Sequence, residues 1–152
     1  MAELPVEKML LSEVLQKVSN AKTKKEKVVL LRKYSTPALR SILIFNYDES
    51  VVSMVPSGDV PYTKNDSPAG TEHTILFHEY KKLYHFVKGG NDGLAKTKRE
   101  QMFIQLLEGL HMDEANVLCL AKDKKLGKRY KVTKACISEA FPEIEWGNRG
   151  GK

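Results

Sequence analysis

The apolar residues of this chain recur with the period of an α-helix, and this feature constrains the fold more than any other. Leu11, Val14, Leu15 and Val18 stand at i, i+3, i+4 and i+7, which places them on one face of a helix. Ser12 is a candidate cap near its start. Further helical stripes lie at residues 28–31, 39–43, 76–87, 103–110 and 113–120. The pattern predicts an all-α fold, a single compact domain of about six or seven helices.

Several helix starts are marked by capping residues. Thr23 and Glu26 have the spacing of a capping box, in which the Thr oxygen accepts from the Glu N–H and the Glu side chain reaches back. Thr36 precedes Pro37, and proline is favoured at the first helical position. Asp113 is expected to cap the helix that runs to Leu120. Thr133 is expected to cap the last helix, residues 134–141.

One long irregular loop, at about residues 46–71, interrupts the helical pattern. Its sequence is punctuated by Pro56, Gly58, Pro61, Pro68 and Gly70, which are turn and loop residues. We expect it to be strapped across the helices by Val55 and Tyr62. Residues 1–145 are predicted to form one helical domain, followed by a flexible tail at 146–152.

Charge is distributed unevenly in this 152-residue chain, whose net charge is +6. Residues 22–40 contain seven basic residues against Glu26 alone, whereas residues 41–80 contain six acidic residues against Lys64 alone. Such asymmetry points to binding surfaces more strongly than the total charge does. The two cysteines, Cys119 and Cys136, lie at apolar helical positions and are expected to be free thiols.

No membrane or secretory segment is expected. The N-terminus lacks the basic and apolar regions of a signal peptide. The longest strictly apolar run, residues 117–121, is far shorter than a membrane span. We therefore expect the chain to act in the cytoplasm, without a membrane partner.

The segment at residues 122–134 is the main candidate for function. Two apolar helix faces flank a loop that is expected to turn on Gly127 and that carries seven positive charges. They are Lys122, Lys124, Lys125, Lys128, Arg129, Lys131 and Lys134. Such a concentration favours a polyanion, and DNA is the simplest candidate. The alternative is that the charges only solubilise a helical bundle.

Other residues would complete a phosphate-binding surface. Gly127 would let the loop approach a DNA backbone closely, and Tyr130 could lie against a sugar. The helix start at Thr133 adds partial positive charge from its N–H groups. A secondary basic patch precedes and begins the second helix, at Lys22, Lys24, Lys25 and Lys27.

Residue patterns typical of catalysis or metal binding do not appear in the sequence. His78 and His85 share a predicted helix face, but zinc needs further ligands at defined spacing. Neither a phosphate-binding glycine loop nor a nucleophile motif occurs. We therefore expect no enzyme, no cofactor and no metal, and an enzyme that uses His73, His78 or His85 is a remote alternative.

Residues 118–142 resemble the end of the all-helical N-terminal DNA-binding domain of ATP-dependent DNA ligases. That domain has a helix, a D-L-R-x-G loop, a short helix and a closing A-F-P-G-L. Asp123, Gly127 and the run Ala140-Phe141-Pro142 occupy similar places here. Lys124-Lys125 replaces the Leu-Arg pair, and Glu143 replaces the Gly after Pro. The adenylylation motif K-x-D-G is absent, so the resemblance implies a DNA-binding module without the ligase chemistry.

The whole chain resembles a family of small uncharacterised proteins of contractile-tailed phages. The matching segments are A-K-T-x-x-E-K-V-x-L-L-R-K at 21–33, A-L-R-x-I-L at 38–43, P-x-G-x-x-P-Y at 56–62, K-L-Y-x-F-V-K-G-G at 82–90 and K-R-E-x-x-F-I-Q-L-L-E at 98–108, together with the closing A-F-P. This resemblance implies a phage origin and action in the host cytoplasm, and it supplies no activity.

The leading hypothesis is non-catalytic binding of double-stranded DNA through its phosphates. The alternative is a protein-interaction module that modulates a phage or host replication or transcription complex. It would dock through the loop at 50–70 or through the acidic residues of 48–79.

Overall fold

Helices build the described part of the chain, in agreement with the predicted all-α fold. The computed structural model describes residues 10–56, 58, 60, 62, 75–144 and 146. Within them lie α1 (Leu11–Asn20), α2 (Lys24–Lys33), α3 (Pro37–Tyr47), α4 (Leu76–Glu79), a 3₁₀ helix (Tyr80–Phe86), α5 (Lys96–Gly109), α6 (Met112–Lys122), α7 (Leu126–Arg129) and α8 (Lys134–Ala140). The tail predicted at 146–152 lies outside the described residues, apart from Trp146.

Three of the predicted caps are confirmed. The Thr23 hydroxyl accepts a hydrogen bond from the Glu26 N–H at 3.1 Å, and the Glu26 carboxylate accepts from the Lys22 N–H at 3.2 Å. Thr36 accepts from Leu39 N–H at 3.1 Å, with Pro37 at the helix start. Thr133 caps α8 in the same way. Each cap satisfies an N–H that has no partner inside its own helix.

Two predicted caps are wrong. Ser12 lies inside α1 and is buried, and the N-cap position is held by Leu10, whose side chain has no oxygen. Asp113 lies inside α6, where the His111 ring accepts from the Asp113 N–H at 3.1 Å. The cap of α6 is therefore a local contact from His111, whereas Leu10 provides no side-chain cap for α1.

The Glu114 side chain substitutes for missing caps on two other helices. Its carboxylate accepts the Leu11 N–H at 2.7 Å and the Leu76 N–H at 2.9 Å. These are the first residues of α1 and α4, whose N-caps, Leu10 and Ile75, make no side-chain cap bond. Glu114 itself is fully buried. A negative charge at two helix N-termini is stabilised by their dipoles, so Glu114 links α6 to two other elements.

The core is formed mainly by α3 and α6. Each has six buried residues among eleven, and the two helices pack against each other while α6 also contacts α1, α5 and α7. The predicted stripe Phe103, Leu106, Leu107 and Leu110 is confirmed as buried. The sequence predicts α5 to be the most buried helix, but only Arg99, Phe103, Leu106 and Leu107 of its fourteen residues are buried, fewer than in α3 or α6.

The stripe predicted within residues 76–87, Phe77, Tyr80, Tyr84 and Val87 widened by Leu76 and Leu83, is confirmed only in part. Leu76 and Leu83 are buried, and Tyr80 and Val87 pack against the core, but Tyr84 is exposed. From Tyr80 onward the chain forms a 3₁₀ helix, which has three residues per turn. Leu83 and Phe86 therefore share the buried face, and Tyr84 is 51% exposed.

The irregular loop begins at Asp48, because α3 continues through Tyr47. Met54 N–H donates to Phe86 O at 2.7 Å, and Ser53 forms an isolated antiparallel bridge with Val87. Val55 is buried in the core, and Tyr62 packs against it, as predicted for a strap. Residues 57, 59, 61 and 63–74 lie outside the described part.

Among the described residues, no helix could span a membrane. The helices there are too short or too polar to cross a bilayer.

Candidate nucleic-acid interface

The turn that opens the basic segment forms at Lys124, and the prediction of a turn on Gly127 is wrong. Lys124 has a φ of 59°, in the left-handed region that most residues avoid. Gly127 lies within α7. A Cβ there would meet only ordinary contacts, with Tyr47 Oη at 3.8 Å and Val132 O at 4.0 Å. Its predicted close approach to a DNA backbone stays a prediction.

Contacts to α3 hold Lys124 in this conformation. Its ammonium donates to Phe45 O at 3.1 Å and Asp48 O at 2.8 Å, at the end of α3. Desolvation lowers the Lys124 pKa, and the charges of Asp48 and Glu49 oppose that change. Lys124 is exposed, and its ammonium is directed to carbonyls of its own chain. Its predicted binding of phosphate stays a prediction.

The prediction that Lys122 binds phosphate is wrong, because its side chain is buried. Lys122 is 3% exposed, and its ammonium donates to Pro56 O at 2.8 Å and Gly58 O at 3.1 Å. It also lies 2.6 Å from the Asp123 carboxylate, which accepts from Gly58 N–H at 3.1 Å. A buried ammonium needs such partners. Lys122 and Asp123 therefore fasten the loop to α6.

The backbone after this turn is anchored in the core. Leu126, Tyr130 and Val132 are buried. Leu126 N–H donates to the buried Asn46 side chain at 3.0 Å, and the Tyr47 hydroxyl donates to Val132 O. Burial of Tyr130 excludes the predicted contact of its ring with a sugar. The anchors make α7 and the following strand-like residues a fixed support for the charged side chains between them.

Four basic side chains on this support are exposed: Lys125, Lys128, Arg129 and Lys131. No ion pair or side-chain hydrogen bond ties Lys125 or Lys128 to another described residue. The Arg129 guanidinium lies 4.7 Å from the Tyr130 ring centroid and donates to the Gln16 side chain at 3.1 Å. Both contacts orient this guanidinium at the surface while leaving donors free, because guanidinium has five N–H groups.

α8 begins at the predicted cap, Thr133, but the Thr133 hydroxyl and the Lys134 ammonium both have partners within the chain. Thr133 accepts the Cys136 N–H at 3.2 Å, so its hydroxyl acts as a cap. The Lys134 ammonium lies 5.2 Å from the Trp146 ring centroid, within the range of a cation–π contact.

The two basic segments, which are separated by about a hundred residues in sequence, meet because α2 packs on α8. The Lys27 ammonium donates to Lys131 O, and Ser19 Oγ accepts from Lys131 N–H at 2.9 Å. Lys24 pairs with Glu139 at 3.7 Å, and both side chains are more than half exposed. Sequence reasoning treated these segments as separate patches. We call the joined surface, residues 22–27 with 125–134, the basic face.

A metal site is absent from the part of the chain that the structure describes, where no group of three or more His, Cys, Asp or Glu side chains is suitably placed. His78 lies in α4 and is exposed, whereas His85 lies in the 3₁₀ helix and contacts the Asn91 side chain at 2.9 Å. They do not share the predicted α-helix face. His73 lies outside the described residues.

The alternative hypothesis uses the acidic residues of 48–79 as a docking surface, and two of them, Asp48 and Glu79, already have partners within the chain. Asp48 is fully buried, and its carboxylate accepts from Ser50 N–H at 2.8 Å. Glu79 pairs with Lys82 at 3.2 Å. Glu49 is exposed, and Asp59, Asp66 and Glu72 lie outside the described residues.

The described residues thus form an all-α protein with a rigidly supported basic face. The chain belongs to a family of unknown function, DUF6433, whose model matches residues 14–128. The match includes most of α1, α2 to α6 and most of α7, and it ends before Lys131 and α8. Comparison with curated proteins gave no match, and comparison with solved structures gave none either.

Proposed function

We propose that this protein binds double-stranded DNA without catalysis, through phosphate contacts on the basic face. The observation that carries the proposal is the packing of α2 on α8, which brings two basic segments together beside an anchored backbone. The phosphate-binding side chains are Lys125, Lys128, Arg129, Lys131 and Lys134, with Lys22, Lys24, Lys25 and Lys27 contributing from α2 and the residue before its cap.

The charge balance supports a polyanion as the partner. Residues 22–27 have a net charge of +3 and residues 125–134 a net charge of +5, whereas the whole chain has +6. These two segments therefore account for all of the net positive charge, and the rest of the molecule is slightly acidic. Concentrating charge on one side attracts phosphates and orients the encounter.

The short elements that carry these basic side chains favour contact with DNA phosphates over recognition of the bases. Phosphate contacts position a protein on a duplex but carry little sequence information. The exposed side chains project from a four-residue helix and a short extended segment, which is shorter than the helices that read a major groove. The resemblance to the DNA-ligase domain supports the same interpretation. We expect affinity to depend little on DNA sequence.

The resemblance to small phage proteins supports a role as an accessory factor that binds DNA in the cytoplasm of an infected host cell. DNA-binding by such a protein would need no cofactor.

The test is a triple charge reversal, Lys125→Glu, Lys128→Glu and Arg129→Glu, measured by gel shift on duplex, nicked and single-stranded DNA. Affinity for every duplex should fall at least about tenfold, since three positive charges are replaced by three negative ones and the net charge of the contact region falls by six. A matched control with the same charge change is Lys81→Glu, Lys96→Glu and Lys98→Glu, all exposed and outside the basic face. The control should retain most of the affinity.

Thermal unfolding of both variants should stay close to that of the parent, because exposed substitutions usually change stability by less than about 0.5 kcal/mol each. If the triple variant at Lys125, Lys128 and Arg129 binds duplex DNA as tightly as the control, or if the parent binds no duplex DNA at low salt, DNA binding is refuted. The protein-interaction alternative then replaces it.

A further inference from the structure

A shallow groove lies between the end of α1 and the outer side of α2. Its volume is about 540 Å³, within the range of about 300–1,000 Å³ that is usual for ligand sites. Its lining residues are Lys17, Asn20, Ala21, Lys25, Glu26, Val29 and Leu30. Five of these seven are exposed, so a small molecule placed there would remain largely in water. The groove suits a partner that covers it with a larger surface.

The floor of the groove is apolar. Val29 is 58% exposed, the highest value among the large hydrophobic residues of the described chain. Leu30 lies beside it and packs on the core, and Ala21 closes the end near α1. A single exposed valine is ordinary, but here it lies in a concave surface with two other apolar side chains. Covering Val29 would remove apolar area from water, which favours association.

The rim of the groove is positively charged. No ion pair or side-chain hydrogen bond joins Lys17 or Lys25 to another described residue. The Glu26 carboxylate already accepts the Lys22 N–H, so part of its acceptor capacity is occupied. An apolar floor with a basic rim is complementary to a surface that combines apolar and acidic side chains.

The groove faces away from the α2–α8 contact. Lys24 and Lys27 are directed to α8, whereas Lys25 and Val29, at i and i+4, share the other side of α2. The groove therefore overlaps the basic face at Lys25 and Glu26 but is distinct from the contact between α2 and α8.

From this geometry we infer that the groove binds an acidic amphipathic helix of a partner protein. Its apolar stripe would cover Val29, and its carboxylates would lie beside Lys17 and Lys25. Such helix-in-groove binding uses apolar anchors at i, i+3, i+4 and i+7. The groove shares Lys25 with the basic face, but its apolar floor at Val29 lies outside residues 22–27 and 125–134, so changing Val29 tests the groove separately from DNA binding.

The test uses the full chain and a fluorescent synthetic helix of about 18 residues, long enough to form helix in solution. The helix contains Glu with Leu at i, i+3, i+4 and i+7. Fluorescence anisotropy should show saturable binding, and Val29→Ser should weaken it at least about fivefold, since a buried apolar anchor is lost. The matched control is Val52→Ser, at a valine 47% exposed on the loop. It should bind like the parent.

Two further peptides separate the contribution of the apolar floor from that of the basic rim. A peptide with Leu replaced by Gln tests the floor, and one with Glu replaced by Lys tests the rim; both should bind at least about tenfold more weakly. Duplex DNA affinity of Val29→Ser should equal that of the parent. The inference is overturned if the acidic Leu peptide does not bind, if Val29→Ser and Val52→Ser bind it equally, or if Val29→Ser weakens DNA binding instead.

Discussion

Replacing Glu114 by Gln tests how much one buried carboxylate contributes to the free energy of unfolding. The Glu114 carboxylate accepts two N–H groups, at 2.7 Å from Leu11 and 2.9 Å from Leu76, and both helices lack a side-chain cap of their own. The amide of Gln keeps one acceptor oxygen, but its NH₂ group is a donor facing a second donor. One helix start therefore loses its partner.

The magnitude follows from the number of bonds. A hydrogen bond to a charged group contributes about 1.5–3 kcal/mol, and a buried donor left unsatisfied costs about 1–3 kcal/mol. Glu114→Gln should therefore destabilise the fold by about 2–4 kcal/mol. Since domains of this kind unfold with only about 5–15 kcal/mol, Glu114→Ala would approach global unfolding, and Gln is the more informative change.

The assay is urea unfolding followed by circular dichroism. The midpoint should fall while the denaturant slope stays constant, which is the signature of a change in stability alone. Glu143→Gln is the matched control, because Glu143 is exposed, and its midpoint should equal that of the parent. If Glu114→Gln unfolds at the same urea concentration as Glu143→Gln, the capping role assigned to Glu114 is refuted.

Three other changes have outcomes fixed by the structure. A Cβ at Gly90 would lie 2.0 Å from Tyr84 O, whereas one at Gly93 meets nothing within 4 Å; Gly90→Ala should lower the thermal midpoint strongly and Gly93→Ala should not. Lys122→Met should destabilise the fold by about 2–4 kcal/mol, because three acceptors lose a buried donor, while duplex affinity in a gel shift changes by less than about twofold; a selective loss of DNA binding would contradict the inward role of Lys122. Burial, assisted by the charge of Cys136, raises the pKa of Tyr47 from 10.0 to about 12. The folded chain therefore holds the phenolic proton more tightly, and this contribution to stability is complete below about pH 10 and lost as the pH rises toward 12. Tyr47→Phe should reduce the loss of stability over that interval in alkaline denaturation, and an unchanged pH dependence would contradict the burial argument.

Local signals were sufficient to predict much of the fold. Thr23, Thr36 and Thr133 each bond an N–H three residues ahead, so a short stretch of sequence determines the cap. The apolar stripe of α1 is local in the same sense. These contacts need no knowledge of distant parts of the chain.

Contacts between distant residues could not be predicted. Glu114 bonds a residue 103 positions away, and Lys122 bonds one 66 positions away. The sequence around Lys122 gives it the same appearance as the exposed Lys125 and Lys128. Only the packing of the loop on α6 distinguishes the buried lysine from the surface lysines. Likewise, the union of the two basic segments depends on the packing of α2 on α8.

The period of the 3₁₀ helix explains the error at Tyr84. An α-helical period places Tyr80 and Tyr84 on one face, whereas a 3₁₀ period places Leu83 and Phe86 together. The same apolar residues fit both patterns over so short a segment. The choice between them was made by packing against α3 and α5.

The salt dependence of duplex binding tests the central proposal most directly. Each phosphate contact contributes about 0.9 to the slope of log affinity against log salt concentration. The parent should bind duplex DNA at low salt with a steep negative slope. Lys125→Glu, Lys128→Glu and Arg129→Glu together should reduce the magnitude of that slope by about 2–3, if each side chain contacts one phosphate. Equal slopes for the parent and the triple variant, or a parent whose binding does not respond to salt, would contradict DNA binding by the basic face.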